Sequence, residues 1–264
     1  MSSTRYVFDN AADQTRERFA ALPRLFDPGT FRHLAALGVS AGWHCLEVGV
    51  GGGSVACWLA EQVGPAGSVL ATDIDTRFLE PLAGPTLAVQ RHDITTDPLP
   101  EAVFDLVHTR LVLAHLPERD AVLGRLVHAL KPGGWLLLEE FDSLSLLADA
   151  GQNPVEGWPP VSTAMLRLMT ARGVDLRLGR LLPGRLRAHG LVDVDGEARA
   201  FLVQPGGPWI DLLRANVEQV REPMRAAEGW SAEDFDRKLA ALDNADRINP
   251  SPLLWAVWGR RPDL

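Results

Sequence analysis

The residues that most clearly indicate chemistry follow a short apolar run near residue 46. The segment Leu46-Glu47-Val48-Gly49-Val50-Gly51-Gly52-Gly53 places glycine at alternate positions beside one carboxylate. Glycine lets the backbone turn sharply and approach a ligand closely, and the first amides of the following helix face that ligand. The dinucleotide fingerprint G-x-G-x-x-G fails because Ser54 occupies its third glycine position. Glu47 would repel a pyrophosphate, so the loop is predicted to suit a ligand with a cationic group.

Carboxylates also follow the next two predicted strands. Asp73 ends the segment Leu70-Ala71-Thr72-Asp73, where a carboxylate can accept hydrogen bonds from both ribose hydroxyls of an adenosine. The alternative is that Asp73 caps the following helix, a role for which Asp75 is better placed. Asp93 could accept from an exocyclic amine and Ile94 could pack on an adenine face, whereas the alternative for both is a surface turn. These positions predict an adenosine-containing ligand without specifying which one.

Histidine and acidic residues near the ends of the fourth and fifth predicted strands are the candidates for acid–base chemistry. His115 follows the fourth strand and is the best-placed general base, although histidine there can also simply pack or cap the next helix. Glu139 or Glu140 could reach a substrate from the end of the fifth strand, and Asp142 is a further candidate. His108 lies within the fourth strand and is predicted to be buried structure.

Composition narrows the class of protein. The chain has 264 residues, of which 46% are apolar and 23% charged, as expected for one α/β domain with insertions or a cap. A net charge of −8 without any run of lysine and arginine argues against a nucleic-acid partner. Only two of the 26 basic residues are lysine, which with abundant alanine, leucine and glycine suggests a GC-rich bacterial genome.

Other features predict a cytoplasmic protein that needs no metal and no membrane. The longest apolar runs are too short to span a bilayer, and the polar N-terminus lacks the apolar region of a signal peptide. Cys45 and Cys57 form no CxxC pair and no Cys/His metal spacing, so two free thiols in a reducing compartment are expected.

Alternating strand and helix patterns must position the residues described above. Short apolar runs predict strands over residues 43–48, 68–72, 87–90, 104–109 and 135–139, and helical spacing predicts helices over residues 54–63, 76–82 and 118–130. This order predicts a parallel sheet with helices on both faces. Right-handed crossovers place the loops that follow the strands at one edge of the sheet, where ligands bind.

The flanking segments are predicted to be mainly helical. Residues 11–37 predict amphipathic helices interrupted near Pro23 and near Asp27-Pro28-Gly29. Later patterns predict helices over residues 161–172, 181–189, 209–227 and 232–242, and strands over residues 191–194, 198–203 and 253–259. We predict an N-terminal helical lid (1–40), a Rossmann-like core (41–143) and a remainder (144–264) that holds the last strands, with a helical cap inserted at about 205–247.

Together, these motifs resemble the class I S-adenosylmethionine (SAM)-dependent methyltransferases, most closely the subgroup of ubiquinone and menaquinone C-methyltransferases. The matching pieces are residues 46–53, 69–73, 92–94, Phe104-Asp105-Leu106-Val107, Leu111-Val112-Leu113-Ala114-His115-Leu116 and Leu130-Lys131-Pro132-Gly133-Gly134. The resemblance implies a seven-stranded Rossmann-like sheet with helices on both faces, SAM as cofactor and S-adenosylhomocysteine (SAH) as product. These motifs are specific for fold and cofactor and say little about the substrate.

The resemblance also implies roles for individual positions. The residues implied to surround SAM are Glu47, Gly49, Gly51 and Gly53 at the methionine part, Asp73 at the ribose, Ile74, Asp93 and Ile94 at the adenine, and Thr109 and Arg110 near the sulfonium. The N-terminal segment often closes as a lid in such enzymes, which makes Tyr6 a candidate for substrate binding, with ordinary packing as the alternative. Trp158 and Trp209, with Met165, Met169 and Leu213, could line an apolar pocket, and packing within the cap explains them equally well.

The expected function is methyl transfer to O, N or C of a small, fairly apolar metabolite, in a tailoring role by analogy with the subgroup. One alternative is a protein of this fold that binds SAM or SAH but catalyses a reaction other than methylation. Another is an NAD-dependent oxidoreductase, although one tyrosine and two lysines make a catalytic Tyr/Lys pair hard to assemble. A homodimer is compatible with the sequence, which does not specify the oligomeric state.

Overall fold

A central sheet of seven strands organises the protein. The computed structural model describes residues 15–146, 159–244 and 249–263. The strands are β1 (His44–Val48), β2 (Ser68–Asp73), β3 (Leu87–Arg91), β4 (Phe104–Arg110), β5 (Leu130–Asp142), β6 (Val192–Arg199), β7 (Leu202–Val203), β8 (Asn249–Pro250) and β9 (Leu253–Arg260). Their order in the main sheet is β3-β2-β1-β4-β5-β9-β6, and β7 pairs separately with β8. The predicted seven-stranded, Rossmann-like architecture is confirmed.

The strand directions explain where a site can form. Strands β1 to β5 run parallel, whereas β9 runs antiparallel to both of its neighbours, β5 and β6. Carboxyl ends of parallel strands meet at the same edge of a sheet. The residues that follow β1, β2, β3, β4 and β5 therefore lie close together, although they are far apart in the chain.

Helices cover both faces of the sheet. They are α1 (Thr15–Ala36), α2 (Ser54–Val63), α3 (Arg119–Ala129), α4 (Pro160–Ala171), α5 (Leu178–Ala188), α6 (Pro208–Gln219), α7 (Arg221–Glu228) and α8 (Ala232–Ala240). One core cluster joins the apolar sides of α2 and the end of α1 to the sheet, and a larger one joins α3, α5 and the later helices to its other face. Burial of these apolar faces is the main force that holds helices against a sheet.

The first helix contradicts the prediction of interrupted helices over residues 11–37. Within the described residues, α1 is continuous from Thr15 to Ala36 and contains both Pro23 and Pro28. Each proline removes one backbone hydrogen bond and disfavours a helix interior. Here α1 packs along α6 and buries residues such as Leu25 and Phe26, so tertiary packing outweighs the local penalty.

Two other segments differ from the helices predicted for them because each contains a proline. The helix predicted over 76–82 is wrong, since only a short 3-10 turn, Glu80–Leu82, forms there. Pro81 lacks the N–H that a longer helix would need, and Asp75 instead accepts a hydrogen bond from the Arg77 N–H at 3.2 Å. The helix predicted over 209–227 is divided at Val220, because Pro223 could not donate to Gln219 but is tolerated in the first turn of α7.

The later helices pack on one another beside the carboxyl edge of the sheet. Helices α6, α7 and α8 lie between β7 and β8 in the chain, and α4 packs against all three. Helix α4 precedes the interval predicted for the cap, so the helical layer is larger than the insertion alone. The division into lid, core and cap stays a prediction. Among the described residues, no helix is both long and apolar enough to cross a membrane.

Candidate active site

A cavity of about 300 Å³ opens at the carboxyl edge of the parallel strands. Its polar part is formed by the glycine loop and by the residues that follow β2, β3 and β4. Its other walls come from α1, α4 and α6. Many of the residues singled out in the sequence analysis line this cavity, among them Glu47, Gly49, Gly51, Asp73, Ile74, Asp93, Ile94, Arg110, His115 and Trp209. A volume of this size lies at the lower end of the range for small-molecule sites.

The glycine loop supplies part of the cavity wall. Gly51 has φ +57° and its N–H donates to Asp73 Oδ2 at 3.0 Å, which links the loop to the end of β2. Gly53 does not line the cavity, in contrast to its predicted contact with the ligand. A Cβ at Gly53 would collide with the Leu82 side chain, so this glycine allows the start of α2 to pack closely. The ligand-facing part of the loop is therefore residues 49–52.

Asp73 is a buried carboxylate that can still accept hydrogen bonds from a ligand. Its Oδ1 accepts from the Asp75 N–H at 3.0 Å, and its Oδ2 accepts from the Gly51 N–H at the same distance. Burial raises the pKa of Asp73, and these backbone donors oppose the shift. A carboxylate has about four acceptor positions on its two oxygens, so these backbone donors leave Asp73 able to accept from a ligand as well. This arrangement fits the two hydroxyls of a ribose.

The residues after β3 fit an adenine ring. Thr95 donates to Asp93 Oδ1 through its backbone N–H at 2.9 Å and through its hydroxyl at 2.6 Å, which fixes the orientation of the carboxylate. Ile94 is buried on the cavity wall, and Ile74 is 44% exposed beside it. An exposed isoleucine at a cavity edge offers an apolar surface on which a flat ring can pack. Together with Asp73, this donor and acceptor set fits an adenosine.

Beneath the loop, Glu47 belongs to a buried network that the sequence did not reveal. His108 Nδ1 lies 2.6 Å from Glu47 Oε2, and His108 Nε2 lies 3.3 Å from Glu139 Oε2. Burial lowers the pKa of His108, but the two carboxylates outweigh it and raise the pKa to about 9. His108 is therefore an imidazolium at neutral pH. It holds Glu47 in place and neutralises part of the charge that Glu47 presents to a cationic ligand.

Helix α1 covers the far end of this network. The Thr30 hydroxyl donates to Glu139 Oε2 at 2.5 Å, and His33 Nδ1 lies 3.6 Å from Glu139 Oε1. Burial opposes ionisation of Glu139, but the hydrogen bond with His108 and the nearby His33 ring hold its pKa well below the usual range. Glu139 does not line the cavity, so of the two glutamates predicted to reach a substrate it is not the better placed. The neighbouring Glu140 lies on the opposite face of β5 and does line the cavity.

The two residues predicted near the sulfonium have different surroundings. Arg110 lines the cavity, and it donates to Asp27 Oδ1 and to Thr30 Oγ1, both at 2.9 Å. Thr109 is fully buried and does not line the cavity, so its predicted contact with the ligand is not supported. Adjacent residues of a strand face opposite sides of the sheet, which explains the difference.

Only some of the residues predicted to act in catalysis or substrate binding lie in the part of the chain that the structure describes. His115 is buried on the cavity wall, where burial, with Arg18 and Arg119, lowers its pKa to about 4. Trp209 lines the cavity, as do Met165, Met169 and Leu213. Tyr6 and Trp158 lie outside the described residues. The roles of all these residues in binding or catalysis stay predictions.

Sequence reasoning predicted an N-terminal helical lid over residues 1–40 but did not identify which residues of α1 line the cavity. Arg18, Phe19 and Leu22 line it, and the Phe19 ring packs edge-on against Phe78 at 5.5 Å between centroids. The helical pattern was visible, but nothing local indicated which side of the helix would meet the glycine loop. Within the described ranges, no group of three or more His, Cys, Asp or Glu side chains is arranged to hold a metal ion.

A valine at Gly51 is expected to abolish binding of an adenosine ligand. Positive φ is strained for a β-branched residue, and a Cβ here would lie 3.3 Å from Phe19 Cε1. The matched control is Gly190→Val, which has similar backbone strain (φ +82°) in open space outside the cavity. Both variants should lose stability, and calorimetry with SAH should show lost binding for Gly51→Val alone. Normal binding by Gly51→Val would place the ligand elsewhere.

Comparison with known proteins supports the assignment made from sequence and geometry. Residues 46–138 match the family described as a methyltransferase domain. Methyltransferase str3 of Strobilurus tenacellus is 34% identical over 143 residues, which cover 54% of this chain and 50% of that protein. The ubiquinone/menaquinone biosynthesis C-methyltransferase UbiE of Laribacter hongkongensis is 33% identical over 119 residues, which cover 42% and 48% respectively. The chain thus spans about half the length of these curated relatives.

A solved structure shows the same fold. The Haemonchus contortus phosphoethanolamine N-methyltransferase 2, in complex with phosphomonomethylethanolamine and S-adenosylhomocysteine, superposes with a TM-score of 0.62 at 18% identity. The match covers 100% of this chain and 61% of that one. Sequence motifs, sheet order and family match therefore agree on one class. Residues 46–138 belong to a methyltransferase domain, and the sequence motifs indicate the class I SAM-dependent type with SAM as cofactor.

Proposed function

We propose that the protein transfers a methyl group from SAM to an oxygen, nitrogen or carbon atom of a small, fairly apolar metabolite. The observation that carries the proposal is one continuous cavity with two chemically different ends. One end combines the glycine loop with Asp73 and Asp93, and the other is lined by apolar residues such as Phe141, Met165 and Trp209. A nucleoside and an apolar acceptor can therefore lie side by side at the edge of the sheet.

The residues of the polar end would position the cofactor. Asp73 would accept from the ribose hydroxyls and Asp93 from the exocyclic amine, while Glu47 would attract the cationic amino-acid part. SAM supplies a methyl group that is already activated on a sulfonium. The work left to the protein is to align the acceptor and to exclude water, which contributes much of the rate in such reactions.

The residues of the apolar end support a small-molecule acceptor. Met165 and Met169 of α4 line the cavity together with Trp209 and Leu213 of α6, and methionine adapts to irregular apolar ligands. The net charge of −8 supports a small molecule over a nucleic acid. The proposal includes a tailoring role in the natural-product chemistry of a bacterial cytoplasm, which the apolar pocket and the arginine-rich composition support.

Two measurements test this function. Thermal shift with SAM, SAH and NAD should show stabilisation by SAM and SAH and none by NAD. Incubation with methyl-labelled SAM and a panel of phenols, enols and amines should then release label to at least one acceptor. Stabilisation by NAD alone would favour the oxidoreductase alternative. Binding of SAM with no transfer to any member of the panel would favour a non-methylating protein of this fold.

A further inference from the structure

Glu140 is a buried carboxylate on the cavity wall that has no part in the cofactor binding described above. It is 1% exposed and lies near the end of β5. Its Oε1 accepts hydrogen bonds from the backbone N–H groups of Val112, Leu113 and Ala114 at 2.9, 2.6 and 3.3 Å. Within the described part of the chain, the hydrogen bonds to Glu140 all end on Oε1. These donors belong to the turn that follows β4 (residues 112–115), and they fix the side chain. Oε2 is then the oxygen that can accept a hydrogen bond from a ligand.

The neighbours of Glu140 place it at the acceptor end of the cavity. Phe141 follows it in the strand, His115 belongs to the turn that it binds, and Met165, Met169 and Trp209 line the same end. These side chains are apolar or, in the case of His115, neutral at physiological pH. A carboxylate in such surroundings is poorly solvated and takes up a proton more readily than one in water. Burial raises the pKa of Glu140 to about 7, although the hydrogen bonds from the backbone N–H groups oppose the shift.

The charged groups around this end favour a negative charge on the acceptor. Arg119 donates to the carbonyl oxygens of Leu113 and Ala114, both at 3.3 Å, and so lies beside the turn that holds Glu140. Arg18 enters the cavity wall from α1, and Asp175, the acidic group from the segment after α4, is 4.0 Å from Arg185. Burial and, after it, Arg18 and Arg119 lower the pKa of His115, in agreement with positive charge close to the turn after β4.

We propose that Glu140 is the general base of the reaction and takes a proton from a weakly acidic hydroxyl, phenolic or enolic, of the apolar acceptor. This inference rests on the proposed function. The acceptor O–H bond breaks, its electron pair stays on the oxygen, and the proton forms a new bond with Glu140 Oε2. The resulting oxyanion is the nucleophile for the methyl group that SAM supplies. Glu140 returns the proton to solvent after the product leaves.

An ammonium acceptor fits the same residues less well. It would have to lie in a cavity whose wall includes Arg18, and its proton would leave a neutral amine that gains nothing from that positive charge. An oxyanion, in contrast, is stabilised by a positive charge on the wall. The inference therefore covers O-methylation of a phenol or enol, which begins with loss of this proton.

The test compares wild type with Glu140→Gln, which keeps an oxygen for the backbone donors but cannot take a proton. The matched control is Asp142→Asn, two residues along β5, where a buried carboxylate outside the cavity pairs with Arg180 at 2.6 Å. The acceptors are a weakly acidic phenol, 4-methoxyphenol, and an acidic one, 4-nitrophenol. Single-turnover methyl transfer is measured from about pH 5.5 to pH 8.5, a range that spans the optimal pKa of a general base.

Wild type and Asp142→Asn should show a rate for 4-methoxyphenol that rises with pH through about 7. Glu140→Gln should lose this rise and be slower by roughly 10²- to 10⁴-fold, the usual contribution of a general base. Its rate with 4-nitrophenol should approach that of wild type at alkaline pH, because that phenol ionises without help. A purely structural role for Glu140 would lower both rates equally, and that result would overturn the inference.

A measurement on the free protein needs neither cofactor nor acceptor. The folded protein binds a proton at Glu140 more tightly than the unfolded chain, so this contribution to stability is complete below pH 4.5 and is lost as pH rises through about 7. The melting temperature of Glu140→Gln relative to wild type should therefore rise over that interval. A constant difference would overturn the inference.

The remaining outcomes separate the two proposals. If Glu140→Gln did not fold, a wild-type rate for 4-methoxyphenol without a rise between about pH 6 and pH 8 would overturn the role of Glu140. Transfer to amines alone would overturn it too, while the proposed function would stand. SAH binding without transfer to any acceptor would overturn the proposed function and this inference with it.

Discussion

Replacement of Asp73 by alanine should weaken binding of SAM by about 2–4 kcal/mol, or roughly 30- to 1,000-fold, because it removes two charge-assisted hydrogen bonds to the ribose. The carboxylate is buried at the cavity edge and already holds Gly51 and Asp75 through their backbone N–H groups. Titration calorimetry with SAM and with SAH gives the affinities. The loss should be equal for the two ligands, since they share the ribose and differ in the charge on sulfur.

Asp75→Ala is the matched control. Asp75 lies two residues further along, and its carboxylate is bound by the Arg77 guanidinium at 2.6 Å. Its removal should leave both affinities within about twofold, the scale of a surface substitution. If Asp73→Ala weakened SAM much more than SAH, the carboxylate would act on the sulfonium charge and the ribose assignment would be wrong. Unchanged affinity for both ligands would also refute it.

His108→Leu should have the largest effect on stability, about 3–5 kcal/mol, because it leaves the carboxylates of Glu47 and Glu139 buried without the imidazolium between them. For a chain of this size, the melting temperature should fall by roughly 6–20 °C. Chemical denaturation and thermal melts measure the change. His44→Leu is the control, since His44 makes an exposed hydrogen bond with Ser68 and its loss should cost under about 0.5 kcal/mol.

The pH dependence of this difference provides a further check. The folded protein raises the pKa of His108 from 6.5 to about 9, so its contribution to stability is complete below pH 6.5 and is lost as pH rises through about 9. The stability gap between wild type and His108→Leu should shrink over that interval. Glu139→Gln should also cost less in the His108→Leu background than in wild type, because the partner is already gone. Additive costs would mean that the two residues do not interact.

Most of the sheet was predictable from local patterns, because strands buried on both faces read as short apolar runs bounded by glycine and proline. The predicted strand at 104–109 became Phe104–Arg110, and the helix predicted at 54–63 formed with the same bounds. The errors lie where a local signal competes with packing. Prolines predicted breaks in α1 that its contact with α6 removes, whereas Pro81 lies in a short 3-10 turn in place of the helix predicted over 76–82, and Pro223 divides the helix predicted over 209–227.

The side-chain partners at the site could not be read from spacing. Glu139 and Glu140 are adjacent in the sequence near a strand end, yet Glu139 lies under α1 with His108 and Glu140 lies on the cavity wall. Successive side chains of a strand point to opposite faces of the sheet. Glu47 looked like a free carboxylate beside the loop, and its histidine partner is 61 residues away in the chain. Which face of a strand is covered, and by what, depends on the arrangement of all the helices.

The sequence by itself determined the parallel sheet, the glycine loop, the aspartate after the second strand, and hence the cofactor class, because each follows from a short segment and its position along the chain. Tertiary structure alone decided that His108 is held between two carboxylates, that Phe19 of α1 packs beside the glycine loop, and that Glu140 lies on the cavity wall. Those contacts join residues from distant segments, and burial, which sets their pKa values, exists only once the chain has folded.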